Sequence, residues 1–380
     1  MLRALLWVTQ ALIAAVAIYN LAVALAGWGH PRLSPPGGRQ QRFRIVVPAH
    51  NEEPVIAAVV GDLRSSDYPP ARYEVSVLAD RCTDRTADLA RTAGATVIER
   101  TGGDDGKGAA LAWYLGQRPL AADEALVVID ADNRIPRDML GRLADEIEAG
   151  SSVLQAYLDV ANPDSSVLAT ASALSYWASN RMVQLARTRL GWSADLGGTG
   201  MCLTARALED AGGFGRSLTE DQELGARLLL AGHPVKWLHD VKVADEKPNT
   251  GSVASAQRAR WITGRRQVAR KWFVKLLRSG SAASLDLALR LVQPSRMGIA
   301  LVSALLAVLA GLGVPLWPWG VWAGLAALQV LAPIAFLLRD RIPARYLSRY
   351  PVLIVLPVIK LIARFVPTRD WYHTPHHGEV

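Results

Sequence analysis

The chain has 380 residues, room for one large domain or two smaller ones, and 51% of them are hydrophobic. That share is high for a wholly water-soluble protein and points to membrane segments, while the net charge of +8 suits an anionic membrane surface, nucleic acid or a phosphorylated substrate. Two cysteines, Cys82 and Cys202, exclude a disulfide framework and a cysteine-based metal site.

From Ala4 to Gly29 no residue is charged, a run long enough to cross a bilayer. Ala24-Leu25-Ala26 resembles a signal-peptide cleavage site, but the apolar run is longer than such peptides carry and only Arg3 precedes it. An uncleaved anchor over residues 1–29 is therefore expected. Arg32, Arg39, Arg42 and Arg44 follow it, which directs the next domain to the cytosol. Residues 30–42, rich in proline and glycine, read as a linker.

Strands and helices then alternate. Phe43 to Pro48 reads as a strand, and Asn51 as the cap of a helix beginning near Pro54. Glu74 to Ala79 is a second strand ending at Asp80, Thr83-Asp84 opens another helix, and Ala95 to Ile98 is a third strand. A glycine-rich loop, Gly102 to Gly108, carries Lys107 before a helix over Ala109 to Gln117. Ala125 to Ile129 reads as a buried strand, and Asp130 and Asp132 lie just beyond it. This order predicts an α/β fold with a parallel sheet covered on both faces.

A helix to Ala149, a strand over Val153 to Val160 and a long helix over Leu168 to Leu190 follow. Gly197 to Gly200 is a flexible loop, and Thr219-Glu220-Asp221 opens a helix over Gln222 to Leu230. Gln257 to Arg278 is basic and amphipathic without one acidic residue, a helix suited to anionic lipid or a phosphorylated ligand. Residues 297–338 carry no charge and are interrupted by Gly311, Gly313, Pro315 and Pro318. They predict a membrane hairpin, about 297–316 and 319–338, preceded by an interface segment from 285. Trp317, Trp319 and Trp322 would form an aromatic belt at its outer turn. Residues 346–366 read as interfacial or re-entrant, and 367–380 as a cytosolic tail whose His373, His376 and His377 lack a metal-site framework.

Ligands of open α/β sheets bind beyond the carboxyl ends of the strands, where Glu52, Asp80, Asp130 and Asp132 would gather. Two carboxylates one residue apart repel unless a hard cation such as Mg²⁺ or Mn²⁺ neutralises them; the plain alternative is an acidic turn capping the next helix. Val47-Pro48-Ala49-His50-Asn51-Glu52-Glu53, Asp80 to Thr86, Gly106-Lys107-Gly108, Asp130-Ala131-Asp132, Thr219-Glu220-Asp221 and Gln257-Arg258-Ala259-Arg260-Trp261 occur in that order. Together they resemble the family 2 glycosyltransferases over about residues 43–278. The flanking apolar segments and Trp371-Tyr372-His373-Thr374 are similar to the membrane-bound branch that includes cellulose, hyaluronan and poly-N-acetylglucosamine synthases.

The resemblance implies the GT-A fold, a Rossmann-like and mostly parallel sheet in a cytosolic domain at about 43–280, with an interface helix near 254–278 and flanking transmembrane helices. It implies transfer from a UDP-sugar, with inversion to a β-linkage, onto a carbohydrate or lipid acceptor. Pro48, Glu52, Asp80, Lys107, Asp130 and Arg260 would bind the donor; Asp132, with Asp130, would hold Mg²⁺ or Mn²⁺. Asp221 would be the base that takes the acceptor hydroxyl proton. Trp261, Gln257 and Glu220 would meet the acceptor. Ala79 stands where many members have a second acid, and three apparent crossings are fewer than polymer-secreting members have. Single-sugar glycolipid synthesis therefore stands beside polymer synthesis, and a non-enzymatic nucleotide-binding scaffold is the alternative of another class. The expected setting is the cytoplasmic membrane, multi-pass, among membrane lipids. No nucleic-acid partner is expected; a homo-oligomer or partner subunit is left open.

Overall fold

The computed structural model describes residues 2–247 and 251–354. A seven-stranded sheet is built from β1 (Arg42–Ala49), β2 (Tyr73–Asp80), β3 (Thr96–Arg100), β4 (Glu124–Val128), β5 (Val153–Val160), β6 (Met201–Thr204) and β7 (Lys236–Asp245). Its order is β3-β2-β1-β4-β6-β5-β7, and only β6 runs against its neighbours. The fold is thus mixed α/β on a mostly parallel sheet, as the alternation of elements predicts.

Side chains alternate between two cores, one on each face of the sheet. Ile45, Val47 and Val127 pack against α2 (Ile56–Arg64), α3 (Thr86–Thr92) and α5 (Met139–Glu148) through Val59, Leu63, Ala90 and Leu143. Val46, Leu126 and Val128 face α4 (Lys107–Gln117), α6 (Val167–Ser179), α8 (Ala205–Asp210) and α9 (Glu220–Leu230), which contribute Leu111, Leu174, Leu208 and Leu224. Burial on both faces is what selects unbroken aliphatic runs in β1 and β4.

The long helix expected over Leu168 to Leu190 is not uniform. After α6 the chain widens into a π-helical stretch, Asn180–Leu185, before regular α geometry resumes in α7 (Ala186–Arg189). Asn180 Nδ2 donates to the Leu158 carbonyl at 2.8 Å, while Arg181 reaches the Gly27 and Gly29 carbonyls at 2.9 and 3.1 Å.

The remaining helices are α1 (Leu2–Ala26), α10 (Gly251–Ser279), α11 (Ala282–Val292), α12 (Arg296–Gly311), α13 (Trp319–Arg339) and α14 (Ala344–Leu347). α1 and α13 are long and apolar enough to cross a membrane; α11 and α12 reach that length only together, as a pair bent by 66°. α12 alone has 16 residues, about 24 Å, so the hairpin's first arm is shorter than expected. Of the three tryptophans, Trp322 stacks on Trp317 with ring centroids 5.8 Å apart. It is wholly buried against Ala14, Ala17, Ile299 and Leu325, whereas Trp319 is exposed.

Polar side chains link these helices to one another, as expected where no solvent competes. Gln329 Nε2 donates to the Ala17 carbonyl at 3.0 Å, and Gln10 Oε1 accepts from the Trp317 backbone at 2.8 Å. Asp286 on α11 accepts from Tyr19 at 2.7 Å and, at 2.8–2.9 Å, from Arg187 and Arg290. The Trp371–Thr374 segment, the tail histidines and most of the expected interfacial helix lie outside the described residues.

Candidate active site

The loops that follow β1 and β2 are stitched together at the carboxyl edge of the sheet. Asn51 does not cap α2: its φ is +57°, and its Oδ1 accepts from the Thr83 backbone at 2.8 Å. The Glu52 amide donates to Thr86 Oγ1 at 2.8 Å, and the Glu53 amide to Asp84 at 3.1 Å. Pro48 is the penultimate residue of β1, beside Leu78 of β2. Asp80 ends β2 and accepts from Arg100 at 2.8 Å and from Arg81 at 3.0 and 3.2 Å. Neither arginine was singled out in the sequence. They fix the Asp80 carboxylate in one orientation at the floor of the crevice.

Lys107 opens α4, and its ammonium group donates to the Asp130 carboxylate and, at 2.9 Å, to the Gly198 carbonyl. A loop lysine expected to meet phosphate is thus already anchored on the strand-end acid. The Asp130 amide donates to Thr199 Oγ1 at 2.9 Å, and Gln155 holds both ends of the glycine loop, accepting from Gly197 at 2.9 Å and donating to Thr199 O at 2.8 Å. Gly198 has a φ of +82°, and a β-carbon there would lie 3.6 Å from Asp221 Oδ2 and 3.8 Å from Lys107 Nζ. The loop therefore brings backbone against both charged groups, where a side chain would intrude.

Gly108 has a comparable role one turn along. A β-carbon on it would sit 2.3 Å from the Gly215 carbonyl and 2.8 Å from Glu220 Cβ, because α4 and α9 begin against one another. Gly108→Ala is expected to destabilise the fold by about 1–3 kcal/mol through overpacking. The melting temperature would fall and kcat/KM would fall with it, since Lys107 and Glu220 must move apart.

Glu220 and Asp221 lie in the first turn of α9, walled by protein on most sides. Burial, with the Glu220 charge next, pushes the Asp221 carboxyl up to about 7, and burial raises Glu220 as well. Lys107 and Arg260 act in the opposite sense on both acids without cancelling the effect. The Gln222 amide donates to Asp221 Oδ1 at 2.8 Å and leaves Oδ2 towards Gly198. Such a carboxylate can accept a proton near neutrality. Gln257, Arg260 and Trp261 lie on α10, all half-buried, spaced to share one face.

A further acid was not read from the sequence. Asp245 ends β7, whose Ala244 pairs with Arg134 just past Asp132. Its Oδ2 accepts from Lys247 at 2.6 Å, while Oδ1 is buried with no hydrogen-bond partner among the described residues. Burial raises its pKa, and the charge on Asp130 adds to the shift. The sequence signal for it is weak, since Asp240 and Lys242 break the apolar pattern and only Val243-Ala244 leads directly into Asp245.

Asp130 and Asp132 follow β4 and Asp245 ends β7, and carboxylate oxygens are donors of the kind that suits Mg²⁺ or Mn²⁺. Among the described residues no three acidic, histidine or cysteine side chains converge into a closed cage. A small hard cation can be held by one or two carboxylates and otherwise by substrate phosphate and water.

The sequence profile of glycosyltransferase like family 2 matches residues 40–264, well over half the chain. The beta-monoglucosyldiacylglycerol synthase of Nostoc sp. (strain PCC 7120) is 27% identical, over 88% of this chain and 76% of its own. Glucomannan 4-beta-mannosyltransferase 1 of Oryza sativa subsp. japonica is 24% identical over 62% of this chain and 47% of its own. Among solved structures, the mannosyltransferase PcManGT from Pyrobaculum calidifontis, in complex with GDP-Man and Mn²⁺, superposes with a TM-score of 0.60. It is 21% identical and covers 93% of this chain and 98% of that one, a likeness of GT-A fold. With the profile spanning the sheet, the strand-end acids and the start of α10, the chain belongs to glycosyltransferase family 2 and is a glycosyltransferase.

Proposed function

We propose that this enzyme transfers one sugar from a nucleoside-diphosphate donor to a membrane lipid, with inversion at the anomeric carbon. One observation carries the reading. Asp221, grouped with Lys107 and Asp130, lies one residue from Gln222, which lines a cavity of about 390 Å³ walled on its far side by α1, α11, α12 and α13. An acceptor reaching the base from that side comes out of the membrane. The likeness to a glucosyldiacylglycerol synthase over 88% of the chain supports the same choice.

In this reading Glu52 and Asp80 hold the nucleoside, which the resemblance makes uridine, and Lys107 and Arg260 face the diphosphate. Pro48 shapes the crevice floor. Asp130 and Asp132, with Asp245 in reach, would hold Mg²⁺ or Mn²⁺, which stabilises negative charge on a departing diphosphate. Ionised Asp221 accepts the proton of the attacking hydroxyl as its oxygen bonds to the anomeric carbon opposite the leaving group. Glu220, Gln257 and Trp261 flank the acceptor path. By the arginines after α1, the catalytic domain lies on the cytosolic side of a multi-pass protein.

A second reading, repeated transfer into a polymer, is favoured by Gln257-x-x-Arg260-Trp261 and by the similarity to the glucomannan enzyme. Purified protein in detergent, given labelled UDP-sugar and total membrane lipid, is expected to yield discrete low-mass glycolipid, and only with Mg²⁺ or Mn²⁺ present. High-mass labelled product would establish the second reading, and full activity in EDTA would remove the metal from the first.

A further inference from the structure

The cavity between α9 and the membrane helices carries more positive charge than a neutral lipid requires. Three arginines line it, Arg265, Arg290 and Arg296, against one carboxylate, Asp195. Arg290 is accounted for: it pairs with Asp195 and Asp286. Arg265 and Arg296 are not. Arg265 feels the Asp195 charge but has no hydrogen bond or ion pair among the described residues, and burial lowers its pKa. Arg296 donates to the neutral amide oxygen of Gln329 at 3.3 Å and has no acidic partner among the described residues. It also stands in the first turn of α12, where the helix dipole opposes a cation.

A half-buried guanidinium without a counter-charge, at a membrane helix end, is costly and calls for an anion. The lining also carries apolar side chains, among them Leu287, Leu291, Met297, Pro333 and Leu353, beside neutral polar ones such as Asn20, Gln222, Gln293 and Gln329. Unpaired guanidinium groups and aliphatic side chains in one cavity suit an amphiphile with an acid in its headgroup. About 390 Å³ lies in the range of small-molecule sites and accepts a headgroup with the first carbons of its chains. The acid itself is not the nucleophile. An ionised phosphate or carboxylate has no proton to give, whereas Asp221 beside Gln222 is placed to take one.

We propose, resting on the glycolipid reading above, that the acceptor is an anionic lipid bearing a free hydroxyl, its acid received by Arg265 and Arg296. The hydroxyl oxygen bonds to the anomeric carbon, the bond from that carbon to the diphosphate oxygen breaks with its electron pair leaving on the diphosphate, and the hydroxyl proton passes to Asp221. A lipid phosphate and a soluble phosphate share the recognised chemistry; the apolar lining favours the lipid.

The test uses the full chain in nanodiscs, with labelled donor and three acceptors: phosphatidylglycerol, diacylglycerol and soluble glycerol 1-phosphate. Phosphatidylglycerol is expected to be glycosylated about tenfold or more faster than diacylglycerol, and glycerol 1-phosphate hardly at all. Arg265→Gln and Arg296→Gln should each reduce that preference about tenfold, with UDP affinity by calorimetry reporting intact folding. Preference for diacylglycerol in the parent, anionic lipid that stimulates without being labelled, or glycerol 1-phosphate labelled as well as the lipid would each overturn this inference alone. Label on no lipid, with UDP still released, would overturn the glycolipid reading and this inference together. Should Arg296→Gln not fold, Arg296→Lys keeps the charge and should retain the preference; loss of preference in a folded Lys variant counts against the proposal.

Discussion

Asp221→Asn should lower sugar transfer by about 10²–10⁴-fold, the range for removal of a general base, and leave UDP binding unchanged by calorimetry. The reason is positional: Asp221 Oδ2 lies towards Gly198, while Asp80 and Glu52, the nucleotide-side groups of the proposed reading, lie on other loops. The parent enzyme adds a pH signature. Its carboxyl is held up to about 7 and acts as a base only when ionised, so kcat/KM should rise with pH through about 7 and then level. The same shift has a sign for stability. A raised folded value favours the native state below the ordinary carboxylate range, and that advantage is lost as pH rises through 7. Asp221→Asn should therefore melt higher than the parent at pH 8, with the gap closing towards pH 4. A melting difference that widens on acidification would contradict the assignment, as would unchanged transfer.

The second large effect is structural. Asp286→Ala should destabilise the protein by about 3–5 kcal/mol, the cost of stranding buried cations. The Asp286 carboxylate is fully buried and satisfies Arg187, Arg290 and Tyr19 together, so one truncation strips the partner from α7, α11 and α1. Thermal unfolding in detergent should show it as a fall in midpoint. Limited proteolysis should cut near residues 27–41 sooner, because α1 loses an anchor on the catalytic domain. A double change that also removes Arg187 should recover part of the loss, since a missing pair costs less than a stranded charge.

The parts of the fold legible in the sequence are those where one physical signal dominates. β1, β2 and β4 were readable because burial on both faces demands unbroken aliphatic runs, and acids at their ends mark the crevice edge. β6 was not readable: its four residues, Met201–Thr204, carry no periodicity, and only antiparallel pairing to Val128 and Gln155 reveals it. β7 escaped because Asp240 and Lys242 interrupt its apolar pattern at the point where its register against β5 shifts. Asp245 escaped with it. Asn51 shows tertiary contact overriding a local rule, since its side chain serves the neighbouring loop in place of its own helix. The spacing of Lys107, Asp130 and Asp221 indicated a shared edge, but the pairing of Lys107 with Asp130 depends on the glycine loop at 197–200. No local pattern encodes that loop's position.

The π-helical stretch at Asn180–Leu185 takes up one extra residue without turning the helix that follows it. Asn180 is pinned to the sheet through Leu158, and seven residues later Arg187 must meet Asp286 on α11. Each residue of a regular helix turns the next by about 100°. A π turn spreads about one more residue over the same rotation, so removing one residue there would restore ordinary helix and leave Arg187 facing its acid. An insertion or deletion in the regular turns of α6 or α7 has no such buffer and would swing Arg187 away from Asp286 by about 100° for each residue.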